Sequence, residues 1–176
     1  MSFVSCRYLF RAVTLLVAAF LLTFAPDCSE AAVRRGQPAP AFKQFALNGQ
    51  PISNESLKGS VVILDFWATW CSPCRESLPF FNELHRKYAK QGLQIVGMNV
   101  DDGSSERQVK SFVEAKRLAY SIVIAPRKLQ DDFGVRALPT LYVLDRQGVV
   151  REQVMGFSEQ AGVVIENLVK KLLAEK

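Results

Sequence analysis

One apolar stretch constrains the fold of this chain more than any other feature of its sequence. The run from Ser60 to Ala68, SVVILDFWA, consists almost entirely of aliphatic, β-branched and aromatic residues. Because polar and apolar side chains do not alternate in it, the run predicts a strand that is buried on both faces. Such a strand belongs in the interior of a sheet that is covered by helices.

The residues directly after this run predict a helix. Pro73 occupies a position that the first helical turn tolerates, because its missing N–H would have no intrahelical partner there. Apolar residues then recur at helical spacing until the chain reaches Gln91-Gly92, and they are Leu78, Phe81, Leu84 and Tyr88. Cys71 and Cys74 therefore lie at the N-terminus of a helix that follows a buried strand.

The position of these two cysteines indicates thiol chemistry. Unpaired N–H groups and the helix dipole stabilise a thiolate at a helix N-terminus, and they lower a cysteine pKa from about 8.5 into the range of roughly 3.5–7.5. Cys71 is therefore expected to be the nucleophile. Cys74 lies one turn inside the helix, where it is better shielded, and is expected to resolve the mixed disulfide that Cys71 forms.

The N-terminal segment predicts export from the cytoplasm. Arg7 and Arg11 precede an uncharged, apolar run from Ala12 to Pro26. Ser29 and Ala31 follow it as the small residues of a signal-peptidase site do. The run has 15 residues, fewer than the roughly 20 that cross a bilayer as a helix.

We therefore expect residues 1–31 to be a cleaved signal peptide and residues 32–176 to form a soluble, single domain in the periplasm or another extracytoplasmic compartment. An uncleaved membrane anchor is the alternative, because the flanking residues extend the apolar run. Cleavage would remove Cys6 and Cys28, so that the mature chain would contain only the CxxC pair.

The composition of such a mature chain excludes most other uses of the pair. Structural zinc needs four ligands, whereas no third cysteine remains and His85 is the only histidine. Haem attachment needs a histidine where this chain has Arg75. A disulfide across two residues constrains the unfolded chain very little, so a structural staple is a poor explanation. Electron transfer by reversible disulfide formation is left, and it requires no cofactor and no metal.

The charge of the chain gives no indication of a nucleic-acid partner. Lys and Arg number 22 against 17 Asp and Glu, which gives a net charge of +5. The basic residues are scattered, and no basic stripe with interleaved aromatic residues occurs. We therefore expect no binding to nucleic acid.

The rest of the chain alternates between strand and helix patterns. Strand patterns cover Leu93–Val100, Tyr120–Ala125, Thr140–Leu144 and Val149–Val154. A hairpin turn at residues 145–148 joins the last two, and helix patterns cover Ser105–Lys116 and Ser158–Lys176. The C-terminal helix is expected to bury Val163, Val164, Leu168, Val169, Leu172 and Leu173. These patterns predict an α/β fold with a central mixed sheet flanked by helices.

Four segments together resemble the thioredoxin superfamily. FWATWCSPCRESLP, residues 66–79, and ALPTLYVLDRQG, residues 137–148, resemble its redox motif and its distant Leu-Pro-Thr segment. The chain is most similar to the exported branch of TlpA-, ResA- and CcmG-like thiol–disulfide oxidoreductases. GQPAPAF at residues 36–42 and LKGSVVILDFW at residues 57–67 resemble the N-terminal hairpin and first core strand of that branch. The resemblance implies a thioredoxin-like fold with an N-terminal β-hairpin extension.

The resemblance also implies catalytic roles beyond the cysteines. Pro139 matches the cis-proline of the superfamily, which lies against the CxxC pair. Asp65 matches a buried acid beneath the second cysteine. A carboxyl in an apolar strand has a raised pKa, so it could accept the proton of Cys74.

Contacts to a client peptide follow from the same resemblance. They are expected from Trp70, from the Leu138 backbone and from Thr140. Pro79 matches a proline that kinks the first helix of the family. The exported branch often carries Glu three residues after the second cysteine, whereas this chain has Ser77.

The resemblance implies a reductant that acts on cysteine-containing client proteins such as apocytochrome c and that a membrane electron donor keeps reduced. A disulfide-forming oxidant is the alternative within the class, because the CxxC dipeptide does not fix the direction of exchange. A thiol peroxidase is a second alternative, because GQPAPAF also resembles peroxiredoxins. Their nucleophile has Thr at the third position before it, where this chain has Ala68.

Overall fold

The apolar run forms the central strand β3, Val61–Trp67, and all seven of its residues are buried. The structure is a computed structural model that describes residues 33–101 and 106–175. The predicted signal peptide and its cleavage site, with Cys6 and Cys28, lie outside the described residues. Within them, no helix is both long and apolar enough to cross a membrane.

Strand β3 lies at the centre of a mixed sheet. The strands that form this sheet with β3 are β4 (Leu93–Asn99), β5 (Ser121–Ile124), β6 (Thr140–Leu144) and β7 (Val150–Met155). Strands β1 (Lys43–Phe45) and β2 (Pro51–Ser53) form a separate two-stranded sheet. In the described part of the chain the large sheet has the order β5-β4-β3-β6-β7. On one side of β3, strands β4 and β5 run parallel to it. On the other side β6 is antiparallel to β3, and β7 is antiparallel to β6. The predicted thioredoxin-like α/β architecture is confirmed.

Helices flank this sheet. They are α1 (Asn54–Leu57), α2 (Ser72–Tyr88), α3 (Glu106–Ala115), α4 (Arg127–Phe133) and α5 (Glu159–Ala174). Helix α2 contains Pro79 and continues past it, and a 3₁₀ turn then leads to Gly92. Gly92 has φ of 100°, a left-handed conformation that favours glycine and ends the helix as the sequence predicts.

The N-terminal hairpin is present, but it lies later in the chain than the motif that predicted it. Strands β1 and β2 pair antiparallel, whereas residues 36–42 run beside the β7 end of the large sheet. There Gly36 donates to Val150, and Ala39 donates to Gly148. Pro38 and Pro40 lack N–H donors, so this segment makes isolated bonds to the sheet edge rather than a continuous ladder.

The prediction for the buried face of α5 was wrong in part. Val163 and Val164 are 60% and 57% exposed. The buried residues are Gly162, Ile165, Val169 and Leu172. A Cβ at Gly162 would stand 3.2 Å from the Phe80 ring, so this close approach turns the Gly162 side of α5 toward α2. Residues 163 and 164 therefore face solvent.

Candidate active site

The junction between β3 and α2 positions the first cysteine. The N–H of Cys71 donates to the carbonyl of Ala68 at 3.2 Å. The N–H of Thr69 donates to both carboxylate oxygens of Asp101 at 3.0 and 3.2 Å. Asp101 is itself buried and accepts from the Asn99 amide at 3.2 Å. The buried carboxylate thus fixes the turn that carries the nucleophile.

Cys71 and Cys74 form a disulfide in this structure, with Cα atoms 5.3 Å apart. Cys71 is the N-cap residue of α2, and its Sγ accepts a hydrogen bond of 3.2 Å from the N–H of Cys74. Cys71 is 5% exposed, whereas Cys74 is fully buried. Cys71 is therefore the sulfur that an external thiol or disulfide can reach.

A groove of about 460 Å³ lies beside the disulfide. Trp70 and Cys71 line one part of it, and Leu138 lines another. Its charged lining within the described residues consists of Arg127 and Arg136. Trp70 is 68% exposed, so the groove offers a large apolar surface next to the reactive sulfur.

The peptide bond between Leu138 and Pro139 is cis, in agreement with the resemblance. No backbone hydrogen bond joins Leu138 to another residue in the part of the chain that the structure describes. Its N–H and C=O are therefore available to a bound peptide. Thr140, by contrast, is buried, and its hydroxyl donates to the Ala137 carbonyl at 2.7 Å. The structure does not bring the Thr140 side chain into the groove.

Asp65 lies in the middle of β3 and is completely buried. Neither carboxylate oxygen has a hydrogen-bond partner among the described residues. Burial raises the pKa of this carboxyl to about 7, because the charged form loses its hydration without gaining a partner. Asp65 is therefore able to gain and lose a proton near neutral pH, as a general base requires.

Ser77 occupies the position at which the exported branch often has an acid. It is buried, and its hydroxyl donates to the carbonyl of Cys74 at 2.9 Å. Glu76 is exposed on the outer side of α2. Asp65, by contrast, is a fully buried acid on β3, the strand that leads to the cysteine pair.

Sequence reasoning missed the two residues that support the site most directly. Asp101 holds the turn before Cys71, and Gly97 is the register partner of Asp65 on β4. The polar residues Asn99, Asp101 and Asp102 at the end of an apolar strand were a signal for Asp101. Gly97 within a strand was likewise a signal, because such a glycine marks a close approach of neighbouring groups. No group of His, Cys, Asp and Glu suited to a metal occurs among the described residues.

Comparison with known proteins shows which family this fold and cysteine pair belong to. A model of the AhpC/TSA family matches residues 35–153. The thiol-disulfide oxidoreductase ResA of Bacillus thuringiensis is 34% identical over 171 residues, covering 94% of this chain and 96% of the relative. The thioredoxin-like protein YneN of Bacillus subtilis is 37% identical over 128 residues, covering 72% and 75%.

A solved structure extends the comparison to the fold. The thiol:disulfide interchange protein of Chlorobium tepidum, from the thioredoxin family, superposes with a TM-score of 0.70 at 30% identity. The match covers 82% of this chain and 100% of that chain. The fold and the paired cysteines define a class, the thioredoxin-like thiol–disulfide oxidoreductases. The chain belongs to the AhpC/TSA family, and it is an enzyme of this class.

Proposed function

We propose that the protein is exported and that it reduces disulfides of client proteins, apocytochrome c among them. The observation that carries the proposal is the position of Cys71, the more accessible sulfur, beside a groove with an apolar wall and an unpaired Leu138 backbone. An extended client segment would pair with that backbone while its disulfide meets Cys71. The export pattern of residues 1–31 and the similarity to ResA support the same proposal.

In the reducing direction, the Cys71 thiolate attacks one sulfur of the client disulfide. An S–S bond forms between Cys71 and the client, and the other client sulfur leaves as a thiolate that takes a proton from solvent. Asp65 then takes the proton of Cys74, whose thiolate attacks Cys71. The second client sulfur leaves as a thiolate and also takes a proton from solvent. The client gains two electrons and two protons, and the protein is left with the Cys71–Cys74 disulfide seen in the structure.

Each cycle consumes the reduced pair, so the reaction requires a donor of two electrons. We propose a membrane-bound thiol reductase for this role, because an exported protein has no access to the cytoplasmic thiol pool. An equilibrium titration against glutathione tests the direction of exchange. A pair that is more reducing than glutathione supports the reductant, and a pair that is more oxidising supports the disulfide-forming alternative.

Trapping in the native host tests the clients. Replacing Cys74 with Ala removes the resolving thiol and leaves Cys71, so mixed disulfides should accumulate and disappear on addition of reductant. Cys71→Ala, which keeps the buried sulfur only, is the matched control and should trap nothing. Apocytochromes among the trapped chains support the proposed clients. An exported Cys74→Ala variant with a free Cys71 and no trapped chain would refute the exchange role.

A peroxide-turnover assay separates this function from a thiol peroxidase. We expect disulfide reduction to exceed peroxide consumption, since Ala68 stands where peroxiredoxins have threonine. Rapid peroxide turnover that depends on Cys71 would favour the peroxidase.

A further inference from the structure

Five buried polar atoms in the described residues have no hydrogen-bond partner, and they belong to only four side chains. The atoms are the two carboxylate oxygens of Asp65, Nε1 of Trp67, the hydroxyl of Tyr120 and Nδ1 of His85. Unpartnered buried polar atoms are few in native proteins, and each one raises the free energy of the folded state. A group of them calls for an explanation other than stability.

The first three of these side chains converge above Gly97. This glycine is the register partner of Asp65 in the parallel pairing of β3 and β4. A Cβ at Gly97 would stand 2.9 Å from Nε1 of Trp67 and 3.2 Å from Cε2 of Tyr120. Paired residues on neighbouring strands point to the same face of a sheet. Asp65, Trp67 and Tyr120 therefore share one small region on one face.

His85 connects this region to the surface. Its ring centroid lies 6.3 Å from that of Tyr120. His85 is partly exposed, although its Nδ1 is buried. Asp65, Tyr120 and His85 thus form a series that begins at a fully buried carboxyl and ends at a side chain in contact with solvent.

We propose that Tyr120 and His85 carry the proton of Asp65 to solvent during the exchange reaction. The inference rests on the proposed function, in which Asp65 takes a proton from Cys74. Without an exit, the carboxyl would hold this proton until the donor regenerates the Cys74 thiolate, which could take it back. A route to solvent lets the fully buried carboxyl lose its proton independently of the donor.

The transfer balances in protons and moves no electrons. The S–H bond of Cys74 breaks as an O–H bond forms on Asp65. The carboxyl then gives its proton to the Tyr120 oxygen, while the hydroxyl hydrogen of Tyr120 passes toward Nδ1 of His85, with water bridging the gaps. His85 releases a proton from Nε2 to solvent, so the sum is one thiolate formed and one proton released.

The electrostatic surroundings suit this direction of transfer. Burial lowers the pKa of His85, which keeps the imidazole neutral and its Nδ1 free to accept. Burial, and secondly the charge of Asp65, raise the pKa of Tyr120, so Tyr120 relays a proton as a neutral hydroxyl.

Charged side chains on the neighbouring elements are exposed. Lys110 and Glu114 of α3 line a surface cavity with Tyr120, and Arg117 follows α3. Glu83 and Arg86 flank His85 on α2 and pair with each other. Solvent screens all of these charges, so Asp65 is the buried charge that faces the route in the described structure.

The resolving step can be isolated by placing a chromophoric aryl thiol on Cys71 as a mixed disulfide and following its release by Cys74. We expect Tyr120→Phe and His85→Ala to slow this release by about tenfold or more near neutral pH, where Asp65 is partly ionised and can act as a base. Loss of a general base as a whole typically costs about 10²–10⁴-fold. The variants should approach the wild-type rate at alkaline pH, where Cys74 ionises unaided. Added imidazole should restore the His85→Ala rate, an effect that a structural role would not produce.

Tyr142→Phe is the matched control. It also removes a buried tyrosine hydroxyl, but one that donates to the Phe133 carbonyl. Tyr142 is the register partner of Leu64, so it lies on the opposite face from Asp65. Its release rate should equal that of the wild type at every pH.

Asp65→Asn distinguishes the proton route through Tyr120 and His85 from the general-base role of Asp65 itself. If Asp65→Asn slows release whereas folded Tyr120→Phe and His85→Ala variants behave as wild type, the route is wrong and the role of Asp65 stands. If Asp65→Asn has no effect either, the general base is wrong and the route falls with it. In the Asp65→Asn background the other two substitutions should add no further slowing.

Discussion

The sulfur of Cys71 accepts a hydrogen bond of 3.2 Å from the backbone N–H of Cys74, the residue with which it forms the disulfide. The same helical turn therefore holds the two sulfurs together and presents an N–H donor to the outer one. A donor at a helix N-terminus stabilises a thiolate more than a thiol. Reduction of the pair should therefore leave negative charge on Cys71.

Alkylation of the reduced protein should label Cys71 in preference to Cys74. Cys71 is the more exposed of the two and lies at the N-cap. At about pH 6 an ordinary thiol with a pKa near 8.5 is almost wholly protonated and unreactive. Peptide mapping by mass spectrometry measures the ratio of adducts. Faster labelling of Cys74 would reverse the assigned roles, and Cys71→Ser provides the rate for Cys74 alone.

Asp65 should lower the stability of the protein as the pH rises from about 4 to about 7. The folded-state pKa of Asp65 is raised from 3.8 to about 7, so the folded state binds a proton that the unfolded state has already lost in this window. The stabilisation that this bound proton gives is complete below the pKa of Asp65 in the unfolded state. It is lost as the pH rises through the pKa of Asp65 in the folded state. Three pH units correspond to about 4 kcal/mol of unfolding free energy at most.

Urea unfolding across this range measures the effect, with Asp65→Asn as the matched variant. Asparagine does not titrate, so the variant should lose this part of the pH dependence. Identical pH profiles for the two proteins would show that Asp65 has an ordinary pKa.

Asp101→Ala should destabilise the protein and slow disulfide exchange together. The substitution removes a buried carboxylate that accepts from Thr69 and Asn99. Loss of such charge-assisted hydrogen bonds costs about 1.5–3 kcal/mol, and the turn before Cys71 loses its support. Glu83→Ala, which breaks only an exposed pair with Arg86, should change stability by less than about 0.5 kcal/mol. Wild-type exchange rates in folded Asp101→Ala would show that the turn needs no support.

Gly97→Ala should destabilise the protein through overpacking. The added methyl would stand 2.5 Å from Cδ1 of Ile122 and 2.9 Å from Nε1 of Trp67. Overpacking of this kind costs about 1–3 kcal/mol. Ile122→Val removes the closest atom, so the double variant should be more stable than the sum of the two single effects. Strict additivity in thermal or urea unfolding would place the strain elsewhere.

Truncation of Ile165 should cost far more than replacement of Val164. Ile165 is buried against the core, whereas Val164 faces solvent. Ile165→Ala should lower the unfolding free energy by about 2–5 kcal/mol, and Val164→Ala by less than about 0.5 kcal/mol. Similar losses from both variants would contradict the observed face of α5.

The central layout of the fold followed from the sequence because its patterns are long. Strand β3 has seven buried residues in succession, and α2 keeps an apolar face over four turns. Helix α4 was missed, since four of its seven residues are charged and only Leu129, Gln130 and Phe133 are buried. The face of α5 was misjudged because Val163 and Ile165 both fit an amphipathic pattern. Packing of Gly162 against Phe80 decides between them.

The residues of the site, like the elements of the fold, could be predicted from the sequence only in part. Cys71 and Cys74 are recognisable from a local motif, because their chemistry depends on spacing and on a helix N-terminus. The cis-proline at residue 139 was expected only from the resemblance of the Leu-Pro-Thr segment. The surroundings of Asp65 are not recognisable in either way, because Tyr120 and His85 are brought together by the packing of α2 against the sheet. Contacts between residues 35 positions apart in the chain have no local signature.

Stoichiometric reduction of a peptide with one internal disulfide tests the central claim most directly. The reduced protein is mixed with the oxidised peptide and the masses of both are measured after acid quenching. We expect that one peptide disulfide is reduced for each Cys71–Cys74 disulfide formed. Cys74→Ala should stop at a covalent peptide adduct on Cys71, and Cys71→Ser should reduce no peptide. A peptide that stays oxidised with wild-type protein, or an adduct found on Cys74, would contradict the account.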